Sequence, residues 1–149
     1  MPITIDSGNL IIIDPSSDIN HSSLIIKVKK GKWKAYKEEG DCDGFGWKVY
    51  RLVMVHIDYT LEEMDKLMKN ENDLGLDYIQ YVNKVKVTSG YAGMYDIEEF
   101  KRNKKTVEFF SKIGYGMTIE SGNGIYNVYK VDKNEEAVFV EIDFIDNNC

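Results

Sequence analysis

The chain has 149 residues, 43% hydrophobic and 30% charged, with a formal net charge of −6. That length suits one domain with a sizeable core, the composition excludes global disorder, and the acid excess argues against nucleic-acid phosphates, which need a positive footprint. No apolar run approaches the ~18 residues of a membrane helix, and the start Met1-Pro2-Ile3-Thr4 has neither the basic nor the apolar region of a secretory signal.

Residues 10–13 form a short apolar run ended by Asp14-Pro15-Ser16-Ser17-Asp18. The run reads as a buried strand stopped by a turn, because proline cannot continue a ladder. Residues 23–29 suggest another strand. The basic run Lys27, Lys29, Lys30, Lys32 and Lys34 reads first as a solvated strand face turning at Gly31, and second as an anion-binding edge. Residues 33–37 and 47–59 flank a glycine-rich segment, 38–46, which predicts a hairpin with a long loop. Thr60-Leu61-Glu62-Glu63 is a capping box, and Leu61, Met64, Leu67 and Met68 follow helical spacing, so a helix is expected to about residue 69. Asp96 to Glu99 offers a second capping box and a short helix through Lys101 or Arg102. Val107, Phe110 and Ile113 before Gly114 predict a further helical turn. Residues 125–131 and 137–144 form a second hairpin about the turn 132–136.

Blocks of the chain recur. Ser7-Gly8-Asn9-Leu10-Ile11-Ile12-Ile13-Asp14 returns as Ser89-Gly90-Tyr91-Ala92-Gly93-Met94-Tyr95-Asp96. Gly31-Lys32-Trp33-Lys34-Ala35-Tyr36-Lys37 returns as Gly124-Ile125-Tyr126-Asn127-Val128-Tyr129-Lys130, and Val55-His56-Ile57-Asp58-Tyr59 as Val140-Glu141-Ile142-Asp143-Phe144. The expected architecture is mainly β (α+β): one domain over 1–149, built from an internal repeat of 5–59 and 87–144 joined by a helix-bearing linker, 60–86. The two β-rich halves would share a pseudo-twofold axis, since copies of roughly 60–70 residues have marginal cores alone.

Candidate sites are few. Asp14 and Asp96 occupy equivalent places, and two carboxylates facing one groove can do acid–base work or hold a cation. The simpler reading is that each ends a strand and caps the following turn. Asp41-Cys42-Asp43-Gly44 imitates part of a calcium loop, but the register that begins at Glu39 puts Tyr50 where a bidentate Glu is required. His21 and His56 are the only histidines, Cys42 and Cys149 the only cysteines, and their spacing matches neither a zinc site nor a disulfide framework. With so few cysteines, a reducing cytoplasm is the expected setting. The glycines at 114–116 and 122–124 lack the lysine of a phosphate loop. Trp33 and Tyr36, like Tyr126 and Tyr129, stand at i and i+3, hence on opposite faces of a strand. One of each pair belongs in the core, and its mate is packed under a loop or available as a binding surface.

The blocks resemble an uncharacterised group of small β-rich bacterial and phage proteins, a domain of unknown function. The resemblance rests on Ser7, Gly8, Leu10, Asp14 and Pro15; on Gly31, Trp33, Ala35 and Tyr36; on Ser89, Gly90 and Asp96; and on Gly124, Tyr126, Val128 and Tyr129. Trp33 departs from the commoner Tyr, and Lys34 and Asn127 from a frequent proline. The resemblance implies a duplicated β fold and no reaction. With no identified nucleophile, metal set or cofactor loop, the expected function is a non-enzymatic binding module of immunity or inhibitor type. Asp14, Asp96, Trp33 and Tyr126 are its candidate binding residues, and a protein with a basic surface is the expected partner. The alternative is a small hydrolase or a small-molecule sensor with a pocket between the repeats.

Overall fold

In the computed structural model, residues 2–20, 23–41, 46–68, 76, 78–103 and 112–144 are described. They form eleven strands and two helices. The strands are β1 (Ile3–Ile5), β2 (Asn9–Ile13), β3 (Leu24–Lys27), β4 (Gly31–Asp41), β5 (Trp47–His56), β6 (Gln80–Val87), β7 (Tyr91–Asp96), β8 (Lys112–Ile113), β9 (Gly116–Glu120), β10 (Gly124–Lys133) and β11 (Glu136–Asp143). The helices are α1 (Leu61–Met68) and α2 (Ile97–Asn103). The fold is mainly β, in two antiparallel sheets. The larger runs β1-β4-β5-β11-β10-β6, the smaller β3-β2-β7-β9-β8.

Alternation of side chains along each strand divides the apolar residues into three layers. Between the sheets lie Ile3, Ile5, Leu10, Ile12, Trp33, Met54, Met94, Val128 and Ile142, among others. The opposite face of the larger sheet presents Val53, Val55, Val138 and Phe139, covered by Met64 and Leu67 of α1 and by Leu76. The opposite face of the smaller sheet presents Ile11, Ile13 and Tyr95, covered by Ile97 and Phe100 of α2. Burying one Phe or Leu side chain contributes about 1.5–3 kcal/mol, so each helix is held mainly by the stripe it turns inward.

The local signals operate as chemistry requires. Thr60 N–H donates to Glu63 Oε1 at 3.1 Å and Glu63 N–H donates to Thr60 Oγ1 at 3.1 Å, a complete capping box. At α2 only half of the expected box forms. Asp96 Oδ1 accepts from the N–H groups of Glu98 and Glu99, but the Glu99 carboxylate turns to Arg102 and Asn103 and Asp96 N–H donates to the Tyr115 carbonyl. β4 extends to Asp41, further than the glycine content suggested. The expected helical turn near Ile113 is corrected: Lys112 and Ile113 pair with Met117 and Gly116 as strand β8, and residues 104–111 lie outside the described residues. So does most of the calcium-loop imitation, 42–45. The connecting segment 60–86 contains α1 and most of β6.

The order of the larger sheet reads similarly from both ends, and so does that of the smaller apart from β8, which has no counterpart. β1 pairs with β4 so that Ile5 faces Gly31 and Ile3 faces Trp33. β6 pairs with β10 so that Val87 faces Gly124 and Val85 faces Tyr126. In β4–β5 a bulge falls between Glu38 and Glu39, in β10–β11 between Val131 and Asp132. Past the bulge, Glu39 faces Val49 and Asp132 faces Ala137. This register sets Val49 against Ala137, and Val55 against Asp143. The sequence block that matched Val55 with Val140 is therefore out of step: Val55 lies in the outer layer, Val140 between the sheets.

Candidate functional site

Asp14 and Asp96 stand at opposite ends of the paired strands β2 and β7, where Leu10 faces Asp96 and Ile13 faces Gly93. Both are 1% exposed. Asp14 accepts from Thr88 N–H at 2.8 Å, Ser89 N–H at 2.8 Å, Ser89 Oγ at 2.6 Å and Ser16 N–H at 2.9 Å. Asp96 accepts from Asp6 N–H at 2.9 Å and Ser7 N–H at 2.8 Å as well as from its own helix start. Each half thus supplies a carboxylate that ties down the strand–turn of the other. The two carboxylates do not converge on one groove, and their lone pairs are committed to the backbone. Burial pushes the Asp14 carboxyl up, but hydrogen bonds from Ser89, Thr88 and Ser16 outweigh it and hold the group below the usual carboxylate range. Such a carboxylate is a poor proton acceptor and has no open coordination site, so the pair anchors structure.

Trp33 and Tyr126 face the layer between the sheets at matching registers, and each meets an aromatic ring edge-on. Trp33 meets His56 with centroids 5.5 Å apart, and Tyr126 meets Phe144 at 4.8 Å. Trp33 is sealed, at 1% exposed, with Nε1 donating to the Lys29 carbonyl at 2.9 Å. It is core and not available surface. Tyr126 is half-buried; its hydroxyl donates to the carbonyls of Gly122 and Asn123 at 3.0 and 3.1 Å. His56 is buried, with Nδ1 accepting from Asp58 N–H and Nε2 donating to the Lys30 carbonyl. These bonds fix the orientation of the ring.

Around Tyr126 the layer between the sheets opens into a cleft of about 900 Å³. The larger sheet continues beyond the smaller one here, leaving Val49, Tyr126 and Phe144 as the apolar floor. One wall is the end of β9 with the turn 121–123, and the other is the β4–β5 hairpin. Trp47 and Ile125 stand at its rim, 69% and 64% exposed. Charge is mixed: Lys37, Lys48 and Lys84 against Glu39, Glu120 and Asp143, with Lys37 and Glu39 paired at 3.4 Å. The sequence reading reached Tyr126 but missed Trp47. An aromatic residue directly after a glycine-rich turn, where no core can cover it, was the available signal.

A second polar cluster lies on the α1 side of the larger sheet. Arg51 donates to Glu38 through Nε and Nη2 at 2.8 and 2.7 Å, to Glu141 at 2.7 Å and to Asp65 of α1 at 3.2 Å. The guanidinium lowers the Glu38 pKa, while burial dominates at Glu141 and raises its pKa despite the same partner. The network joins α1 to three strands and leaves Arg51 no free face for a substrate anion. Among the described residues, no group of three or more His, Cys, Asp and Glu side chains is arranged to hold a metal ion, and no helix is long and apolar enough to cross a membrane.

No known protein family, curated protein or solved structure matches the chain. The resemblance to the uncharacterised β-rich group therefore rests on the residues quoted for it.

Proposed function

We propose that the protein is a non-enzymatic binding module whose working surface is the cleft between the β4–β5 hairpin and the β9–β10 turn. The observation that carries this reading is the rim: Trp47 and Ile125 stay in water beside a concave apolar floor with charged residues around it. Large apolar side chains kept exposed next to a cavity mark contact surfaces, since burying them on a partner recovers hydrophobic free energy. The hydrolase alternative has no comparable support, because the oxygens of Asp14 and Asp96 are occupied by structural donors. The net charge of −6 favours a basic partner at long range.

The test is affinity capture from a lysate of the source organism with the parent protein and with Trp47→Ser, whose exposed position makes the substitution harmless to folding. A partner retained by the parent and lost by the variant supports the reading. Equal capture by both, or none by either, refutes it.

We also read the two halves as copies of one unit about a pseudo-twofold axis. Support comes from the matched strand orders, the matched bulges and the reciprocal aspartates. Two tandem copies of residues 76–144 should then fold, with Ser89 and Asp96 of successive copies answering one another. An unfolded product, by circular dichroism, contradicts this.

A further inference from the structure

The two ends of the larger sheet differ in one backbone hydrogen bond, and that difference creates the cleft. At the closed end, Val28 N–H donates to the Gly8 carbonyl at 3.0 Å, and Lys29 N–H reaches across to the Ala137 carbonyl at 2.9 Å. Val28 and Ala137 thereby form a parallel bridge. The chain itself fills this seam as a short extended segment lying on the β5-facing side of β11, past the last β5–β11 pair at Val55 and Phe139. At the open end, Ser121 stands in the register of Val28, because Lys27 faces Asn9 as Glu120 faces Tyr91. Ser121 N–H donates to the Gly90 carbonyl at 2.9 Å, as its counterpart does to Gly8, but Gly122 N–H turns back to the same Gly90 carbonyl at 3.0 Å. Gly122 has φ +81°, a left-handed conformation that glycine adopts without steric cost, and it takes the chain away from β5.

The floor beneath is otherwise alike. Lys37 and Glu39 pair at 3.4 Å in the open seam, Lys130 and Asp132 at 3.1 Å in the closed one. Val49 occupies the place of Ala137. Beyond Tyr50, whose carbonyl accepts from Phe144 N–H, no described residue pairs with the β11-facing side of β5 at Val49.

We propose that the open seam binds an extended polypeptide segment of a partner protein, which adds to β5 at Val49 as Val28–Lys29 adds to Ala137. Backbone hydrogen bonds supply the pairing, as in other strand-addition sites. The lining of the seam narrows the occupant. The residue that takes the place of Val28 rests on Val49, Tyr126 and Phe144 and is apolar. In the closed seam the following residue, Lys29, pairs with Asp58 at 2.7 Å. The open seam is lined by Lys37, Lys48 and Lys84 as well as by Glu39, Glu120 and Asp143, so its charge selects neither sign at that place. The partner segment is therefore extended, with an apolar residue at the place of Val28.

This inference rests on the cleft being the binding surface, and its test is separable from that reading. The probe is a display library of unbiased linear peptides panned against the protein, with binding of the enriched peptides measured by titration calorimetry. Enriched peptides should carry a central apolar residue, and methylation of one central backbone nitrogen should weaken them about tenfold, the scale of a lost backbone hydrogen bond. Trp47→Ser should weaken them as well, with methylation near the peptide ends neutral. No enrichment, indifference to N-methylation at every position, or binding unaffected by Trp47→Ser overturns the inference. If lysate capture still depends on Trp47 while linear peptides fail, the cleft binds something other than an extended segment, and only this inference falls.

Discussion

Replacing Asp14 with Ala tests the reciprocal anchors most directly. The substitution removes an acceptor that satisfies Thr88 N–H, Ser89 N–H, Ser89 Oγ and Ser16 N–H. Ser16 lies in an exposed turn and can bond water, and the Ser89 hydroxyl can rotate. The two backbone N–H groups cannot move without breaking the entry into β7. Each polar group left unpaired costs about 1–3 kcal/mol, so the expected loss is about 3 kcal/mol out of a total of about 5–15 kcal/mol for a domain of this size. In urea, with a slope of about 2 kcal/mol/M, the midpoint should fall by about 1.5 M at unchanged slope. Asp96→Ala should cost a similar amount, because Asp6 and Ser7 lose the same kind of partner. Acidity gives a second readout. The Asp14 carboxyl is held below its ordinary value in the folded state, so its contribution is present above the unfolded value of about 3.9 and lost as pH falls through the lower folded value. Asp14→Asn should flatten the decline of stability in that acid window. A loss below about 1 kcal/mol for Asp14→Ala, together with an unchanged acid profile for Asp14→Asn, would refute the reasoning.

Three further outcomes follow from the packing. Gly93→Ala drives a methyl group into the Tyr95 hydroxyl and to 2.7 Å from the Met117 carbonyl; overpacking of this kind costs about 1–3 kcal/mol, and a thermal midpoint equal to the parent's would contradict it. Arg51→Met leaves Glu141 buried without its cation, expected to cost about 3–5 kcal/mol at neutral pH. Because burial already raises the Glu141 pKa, the folded variant holds that proton more tightly than the unfolded chain, so its deficit should shrink as pH falls towards 5, measured by urea titration across pH. Asn134 and Glu135 form the β10–β11 turn with φ 53° and 68°. Asn-Gly is the preferred pair for such a turn, so Glu135→Gly should raise stability by up to about 1 kcal/mol, and a lowered melting temperature would count against that assignment.

Elements with a strong local cause were legible in the chain. β2 follows from an apolar run stopped at Asp14-Pro15, α1 from Thr60 and Glu63, and the β10–β11 hairpin from two alternating runs about a short turn. β6 was not legible, because Gln80–Val87 is an edge strand with one wet face and carries Asn83, Lys84 and Lys86 among its valines. The aspartates were found by recurrence, but their role was set by where Ser7 and Ser89 sit in space. Strand alternation put Trp33 and Tyr36, like Tyr126 and Tyr129, on opposite faces without saying which of each pair lies inside. What separates Trp33 from Tyr126, a sealed seam and an open one, depends on whether Lys29 or Gly122 sends its N–H across or back. No sequence pattern records that choice, and Trp47 acquires its meaning only once the seam is open.

The position of β11 bears on how the chain is made. Among the eleven strands it emerges last from the ribosome, yet it lies in the middle of the larger sheet, between β5 and β10. Until it is synthesised, β1-β4-β5 and β10-β6 are separate ribbons, each with a bare edge where the missing strand belongs. Pairing across such sequence distances is slow, and bare edges invite association between nascent chains. A pause that leaves β10 exposed while β11 is still unavailable should therefore lower the soluble yield.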